Sequence, residues 1–200
     1  MIRFFRSEDA QGLIEFAIIL PPLLLLLVLG LVEIGTVLSV AMTMSSATRE
    51  GARVASALVN GGGALGCGGG QSPNAATVDP NVIAAVERVL VGNGSRITLA
   101  DLSQIRIAKS TAAGAETGGL INTWNYQANG GPVIDGQQLD FVAASQPWQA
   151  CSRNNAAPAD SAVITVTYTY RGRTPLRMLI PFFNQFTMTD RTVMAMNANR

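Results

Sequence analysis

The chain has 200 residues, of which 48% are hydrophobic and 14% charged, with a formal net charge of +1. Soluble domains carry roughly 25% charged residues, so the deficit indicates an apolar segment. The near-zero net charge gives no electrostatic reason to expect nucleic acid as a partner. Histidine is absent from the sequence, which removes the commonest general base and the commonest metal ligand.

The N-terminal part begins with a charged leader, 1–10, and continues as a long apolar run. No charged residue occurs between Phe16 and Val32, and a membrane-spanning helix needs roughly 20 predominantly apolar residues. The surface helix of a soluble protein carries polar residues along one face, whereas this run is apolar on all sides. We therefore predict a single transmembrane helix rather than a buried core helix.

The charges that flank this run set its expected orientation. Arg3 and Arg6 lie shortly before it, and Arg49 and Arg53 follow at a greater distance. Because basic residues close to a span stay preferentially in the cytoplasm, we expect a cytoplasmic N-terminus and an extracytoplasmic main domain at the cell membrane. A cleaved signal peptide has an apolar region of roughly 7–15 residues, so this longer run is typical of an anchor.

The helix is expected to extend beyond the membrane. Residues 41–59 place apolar side chains at helical spacing and include many small residues, which allow helices to pack closely. Pro21 and Pro22 predict a kink near the start, and the glycines at 61–63 predict the end. The expected organisation is a leader at 1–10, the helix with its extension at 11–60, and a domain at 61–200.

Two glutamates in the apolar helix are candidate assembly residues. Glu15 lies at the cytoplasmic end of the run, where its carboxylate either reaches water or pairs with a positive charge from another subunit. Glu33 lies at the outer edge of the span or just inside it. Because an ionised side chain within the bilayer costs roughly 2.5–3.5 kcal/mol, we predict for Glu33 either an interfacial position or a contact with another helix.

The remaining chain is long enough for one domain with its own core. Apolar residues at helical spacing predict a helix at Val78–Val91, with Asp79-Pro80 at its start. Strands are predicted at Gln104–Ala108, Asn122–Gln127, Ala162–Tyr170 and Phe186–Met196. Ala162–Tyr170 has the clearest alternation and is expected to be half-buried.

These elements predict an α+β fold. It consists of a long N-terminal transmembrane helix and a small extracytoplasmic domain with one further helix and a mainly antiparallel sheet. The apolar run Leu179–Phe183 is expected in the core; the alternative is a surface that meets the membrane or a neighbouring subunit.

The two cysteines, Cys67 and Cys151, are too far apart in sequence for a Cys-x-x-Cys zinc or redox site. In an oxidising compartment they would form a disulfide that ties the glycine-rich loop 61–71 to the domain; the alternative is two unpaired thiols. The sequence contains no phosphate-binding loop, nucleophile motif or zinc-ligand spacing. We therefore predict a protein that is not an enzyme and uses no cofactor or metal.

Several motifs occur together at the N-terminus. The sequence reads GLIEFAIILP at 12–21, GLVEIG at 30–35 after a leucine run, and ATREGARVA at 47–55. This segment, roughly residues 10–56, closely resembles the TadE-like family of minor pseudopilins, which belong to the tight-adherence (Flp) pilus machinery. A weaker similarity lies near the C-terminus, at 162–168 and in the apolar segment that ends at Met196.

The resemblance implies cleavage by a prepilin peptidase on the cytoplasmic face. In this family the residue before the cut is normally glycine, and a glutamate is fifth in the mature chain. Counting back from Glu15 places Gln11 first and Ala10 before the cut, so alanine replaces the usual glycine. A cut after Gly12 would place Glu15 third. The implied processing residues are Ala10, Gln11, Gly12, Glu15 and Phe16.

The function implied by the resemblance is that of a minor pseudopilin in pilus assembly. Its partners would be the membrane, the prepilin peptidase, other pilins and pilus assembly proteins. Glu15 would neutralise the new α-amino group of a neighbouring subunit. The alternative is a permanently membrane-anchored, extracytoplasmic ligand-binding domain that does not enter a filament, and cleavage of the leader distinguishes the two.

Overall fold

The computed structural model describes residues 8–58, 75–155, 157–181 and 184–196. The chain divides into two compact units. The first combines the N-terminal part of the long helix, through Val37, with the segment Arg171–Phe186. The second contains the rest of that helix and most of the sheet, within Leu38–Tyr170 and from Thr187 onward.

Helix α1, Glu8–Ala57, has 50 residues and contains both Pro21 and Pro22. At a rise of 1.5 Å per residue it is about 75 Å long, which is far more than one bilayer core requires. The predicted long apolar helix is confirmed. The glycines expected to end it, 61–63, lie outside the described residues, and the helix ends at Ala57.

Helix α2, Ala75–Leu90, is the further helix predicted in the domain. It begins three residues before the predicted start, so Asp79 and Pro80 lie inside it rather than at its N-terminus. Pro80 removes one N–H from the helical ladder there. One face is apolar and contributes Val78, Val82, Ile83, Val86 and Leu90 to the core.

The main sheet has five strands, in the order β5-β2-β1-β6-β7. They are β1 Leu102–Ser110, β2 Glu116–Tyr126, β5 Phe141–Ser145, β6 Ser161–Arg171 and β7 Gln185–Ala195. The pairs β1–β2, β1–β6 and β2–β5 are antiparallel. Two two-residue strands, β3 Val133–Ile134 and β4 Gln137–Gln138, form a separate antiparallel hairpin. A short helix α3, Leu176–Leu179, lies between β6 and β7. The predicted α+β class with a mainly antiparallel sheet is confirmed.

The core of the second unit lies where α1, α2 and β6 meet. In β6 every residue from Ala162 to Val166 is buried, so the prediction of a half-buried strand is wrong for that half of it. One face packs against the helices. On the other face the Thr165 hydroxyl donates to Glu116 Oε1 at 2.6 Å, and Arg106 pairs with the same carboxylate at 3.1 Å. The long polar side chains cover the second face and bury it.

Candidate assembly and membrane surface

The exposed half of α1, residues 12–32, is largely uncovered by the described part of the chain. Every residue from Gly12 to Val28 is exposed, and 6% of the most apolar window of the helix is buried. The helix is long and apolar enough to cross a membrane. Leucine side chains in such numbers are costly in water, so the structure and composition together support membrane association.

The residues predicted for peptidase processing lie on the first two turns of this helix. Ala10 and Gln11 are within α1, and their side chains are outside the described part of the structure. Gly12 has open space around it, and both Glu15 and Phe16 are exposed. Gly12, Glu15 and Phe16 are thus accessible on the helix, and cleavage of the leader stays a prediction.

Glu33 of α1 is buried, at 1% exposure. Its carboxylate accepts two backbone hydrogen bonds, from Arg173 N at 3.1 Å and from Thr174 N at 3.0 Å. Both partners belong to the first unit. Two amide donors on one carboxylate offset the cost of burying its charge. Its predicted role in contacts between helices of different subunits stays a prediction.

The Glu33 loop is defined here as the described residues between β6 and β7, namely 172–181 and 184, and it contains α3. It is closed on itself by backbone hydrogen bonds, among them Gly172 N to Asn184 O at 3.1 Å and Ile180 N to Leu176 O at 2.8 Å. Leu176 is buried, whereas Met178 is 80% exposed and Ile180 36% exposed. The core interpretation of the run Leu179–Phe183 is therefore wrong for Ile180, and Phe182 and Phe183 lie outside the described residues.

The packed half of α1, Val40–Ser56, is built from small residues. Gly51 allows the closest approach: a Cβ there would lie 2.5 Å from Val86 Cγ2 and 3.3 Å from Ile164 Cγ2. Fully buried alanines follow the same face, at positions 47, 52 and 55. The small residues predicted to favour contact between helices are thus used inside the chain's own domain.

Polar side chains attach the packed half to the edge strand β7. Thr48 Oγ1 donates to Asp190 Oδ2 at 2.5 Å and lies 3.0 Å from Thr192 Oγ1. Ser56 Oγ donates to Met194 Sδ at 3.2 Å. Along β7 these inward residues alternate with exposed ones. The strand therefore presents one face to α1 and the other to solvent.

A buried polar cluster links α2 to the sheet and was not predicted from the sequence. Asp79 Oδ1 lies 2.6 Å from Arg153 Nη2, and the Arg153 side chain is fully buried. Asn122 donates to Asp79 Oδ2 at 2.6 Å and exchanges two hydrogen bonds with the Trp148 backbone. The Arg153 guanidinium also stacks 4.4 Å above the Trp148 ring. No local pattern could have paired residues from such distant elements.

Cys151 follows this cluster in a short 3-10 turn, Ala150–Ser152, and is disulfide-bonded. The other cysteine of the sequence, Cys67, lies outside the described residues. The free-thiol alternative therefore does not apply to Cys151, and its pairing with Cys67 stays a prediction.

An open cleft of about 610 Å³ lies between α2 and the β3–β4 hairpin. Glu87 lines it and accepts hydrogen bonds from Asp140 N, at 3.1 Å for the nearer oxygen. Burial raises the pKa of Glu87, the Asp140 N–H opposes that shift, and the Asp140 charge adds to it. Within the described ranges no three acidic or cysteine side chains are grouped in a way that could hold a metal ion.

The comparisons with known proteins agree with the N-terminal motifs. The family model described as TadE-like protein matches residues 10–53. No curated protein and no solved structure matches the chain. The matched residues cover the exposed half of α1, Glu33 and Gly51, and all but the last few residues of the packed half. The resemblance predicted from the sequence is thereby confirmed over this segment, and the long N-terminal helix of the chain is TadE-like.

Proposed function

We propose that this protein is a minor pseudopilin that takes part in assembly of a tight-adherence (Flp-type) pilus. The TadE-like match suggests involvement in such a pilus system. One observation supports the finer role most directly. The TadE-like helix exposes an apolar surface on all sides over Gly12–Val28, which suits a segment that first lies in lipid and then packs among identical or related helices.

The start of α1 contains two groups that could join neighbouring helices once the segment leaves the lipid, namely the new α-amino group and the Glu15 carboxylate. A cut after Ala10 by a prepilin peptidase gives Gln11 a charged α-amino group close to the apolar run. That charge is costly near lipid unless it is paired. Glu15 is exposed one turn further along the helix, so its carboxylate is accessible to the amino group of a neighbouring subunit. The pair would set the axial register of adjacent helices.

The orientation proposed is a cytoplasmic N-terminus and an extracytoplasmic domain in a single-pass cell-membrane protein. Arg3 and Arg6 before the span support it through the preference of basic residues for the cytoplasmic side. The disulfide at Cys151 supports it independently, because disulfides persist in oxidising compartments outside the cytoplasm.

The test is the N-terminal mass of the full-length protein purified from cells that contain its prepilin peptidase, with a peptidase-deficient strain as the control. We expect a start at Gln11 in the first strain and at Met1 in the second. A start at Leu13 would move the cut to Gly12 and place Glu15 third. A start at Met1 in both strains contradicts processing and favours the permanently anchored ligand-binding domain.

A further inference from the structure

We propose that the Glu33 loop is a second membrane contact, which binds the surface of a bilayer that contains anionic lipid. The inference rests on the proposed membrane span of α1 but not on the pilus role. It concerns the part of the first unit that follows the sheet strand β6.

The position of the loop along α1 is fixed by Glu33. Its carboxylate holds Arg173 N and Thr174 N at 3.1 and 3.0 Å, and both Glu33 and Thr174 are buried. The uncharged run of α1 ends at Val32, directly before this residue. That run, Phe16–Val32, has 17 residues, which is within the range of roughly 17–25 that a span requires. When it fills the hydrocarbon core, Glu33 lies at the membrane–water interface, and the amides that Glu33 holds lie at the same level.

The composition of the loop matches that environment. Arg177 and Met178 are adjacent in α3 and both exposed, and Ile180 is partly exposed. The sequence has no acidic residue between Arg171 and Thr189, whereas it has three arginines there. Segments that lie on membranes combine apolar side chains, buried roughly 5–10 Å into the headgroup region, with basic side chains that attract anionic lipid.

The same unit exposes apolar side chains next to Glu33 on α1. Val32 and Ile34, on either side of it, are each 50% exposed, and both belong to the first unit. If the loop faced water, Met178, at 80% exposure, would be a large hydrated apolar side chain. Lipid removes that cost and also supplies the negative charge that Arg177 complements.

The experiment places tryptophan reporters in the full-length chain, reconstituted into phosphatidylcholine vesicles with and without phosphatidylglycerol. Met178→Trp reports on the loop, Leu24→Trp on the span, and Val133→Trp on an exposed apolar position of the β3–β4 hairpin. The natural Trp124 and Trp148 are 2% exposed and give the background. Lipids brominated near the headgroup end of the acyl chain quench a reporter at the interface, and lipids brominated near the end of the chain at the bilayer centre quench the Leu24→Trp reporter.

We expect the Met178→Trp variant to lose fluorescence in brominated lipid, and to lose more when phosphatidylglycerol is present. Adding Arg177→Gln should reduce that extra loss, because one of the three arginines is then neutral. The Val133→Trp variant should behave as the wild type does.

Three results would overturn the inference. Quenching of the Leu24→Trp reporter without quenching of the Met178→Trp reporter would show a loop in water beside an inserted helix. Absence of quenching in both would remove the membrane anchor itself along with this inference. A blue-shifted, unquenched Met178→Trp signal that disappears on dilution with excess lipid would assign the surface to a second copy of the chain.

Discussion

The two halves of α1 are held by different forces. The exposed half is rich in leucine and contacts little of the described chain, so its stability depends on length and apolarity. The packed half contains alanine, glycine, serine and threonine in close contact with α2, β6 and β7. Lipid adapts to the side chains that it covers, whereas a protein core is packed at the density of an organic crystal and tolerates few changes of volume. Substitutions should therefore act through charge in the first half and through shape in the second.

The largest effect is expected on assembly, from Glu15→Ala in the exposed half. The carboxylate that would pair with the processed N-terminus is lost, so incorporation into pili should fall to background, as measured by immunoblots of sheared filaments. Thermal unfolding of the domain should stay unchanged, because Glu15 lies far along the helix from the packed half. Leu24→Ala is the matched control for an uncharged exposed position. Normal assembly of Glu15→Ala would contradict the pairing.

The largest effect on stability is expected from Asp79→Ala, in helix α2 of the domain that packs against α1. The change leaves the buried Arg153 charge without its carboxylate, and breaking such a pair costs about 3–5 kcal/mol in the free energy of unfolding. Chemical denaturation measures it. The control is Glu50→Ala, which breaks an ion pair of the same 2.6 Å length on the surface of α1 and should change stability little. If both variants lost the same free energy of unfolding, the prediction that the buried ion pair contributes more than the exposed one would be wrong.

The Glu33 loop should open when its acceptor is removed. Glu33→Ala leaves two amides without their partner, at about 1–3 kcal/mol for each buried donor, whereas Glu33→Gln keeps one acceptor oxygen. We expect trypsin to cut after Arg173 and Arg177 faster in the alanine variant than in the glutamine variant, and slowest in the wild type. Identical cleavage rates in all three would show that these hydrogen bonds do not hold the loop.

Gly51→Ala tests shape in the packed half directly. The added methyl group would lie 2.5 Å from Val86 Cγ2, and overpacking costs about 1–3 kcal/mol, partly offset by the gain in helix propensity of about 1 kcal/mol. A net loss of up to about 2 kcal/mol in the free energy of unfolding is expected from denaturation. Gly35→Ala, which meets nothing within 4 Å, should cause no loss. The double variant with Val86→Ala should recover part of the stability, and a stabilised Gly51→Ala protein would contradict the close packing.

The smallest effect concerns the pH dependence contributed by Glu87. Because its folded-state pKa is raised by burial, ionisation of Glu87 destabilises the fold, and its contribution to stability falls as pH rises from the unfolded value through the raised one. Glu87→Gln should therefore be more stable than the wild type at neutral pH. The difference should vanish as pH falls to the ordinary glutamate range. Denaturation at a series of pH values measures this, and a difference that grows on acidification would contradict it.

The sequence predicted the elements that have strong periodic signals. Helix α1, helix α2 and the strands β1, β2, β6 and β7 all appear near their expected positions. The strand β5 was missed because three of its five residues are exposed and weakly alternating, and the N-terminal part of β2 because Gly118 and Gly119 disfavour a strand prediction.

The site was less accessible from the sequence than the fold. The exposure of Glu15 could be predicted, because Glu15 lies in an apolar run that is visible in the local sequence. The amide partners of Glu33, the fit of Gly51 against Val86 and the Asp79–Arg153 pair depend on contacts between distant segments, and single-sequence periodicity carries no information on those.

The hydrogen bonds of Glu33 also bear on the order of events during biosynthesis. They join residues that are 140 and 141 positions apart. At about 5–20 residues per second, the ribosome makes Thr174 roughly 7–28 s after Glu33. Throughout that interval neither amide exists, and water has to solvate the carboxylate instead. The nascent helix is therefore most stable in the bilayer with Glu33 at the aqueous boundary, so the residue that later holds the loop first limits the depth of insertion.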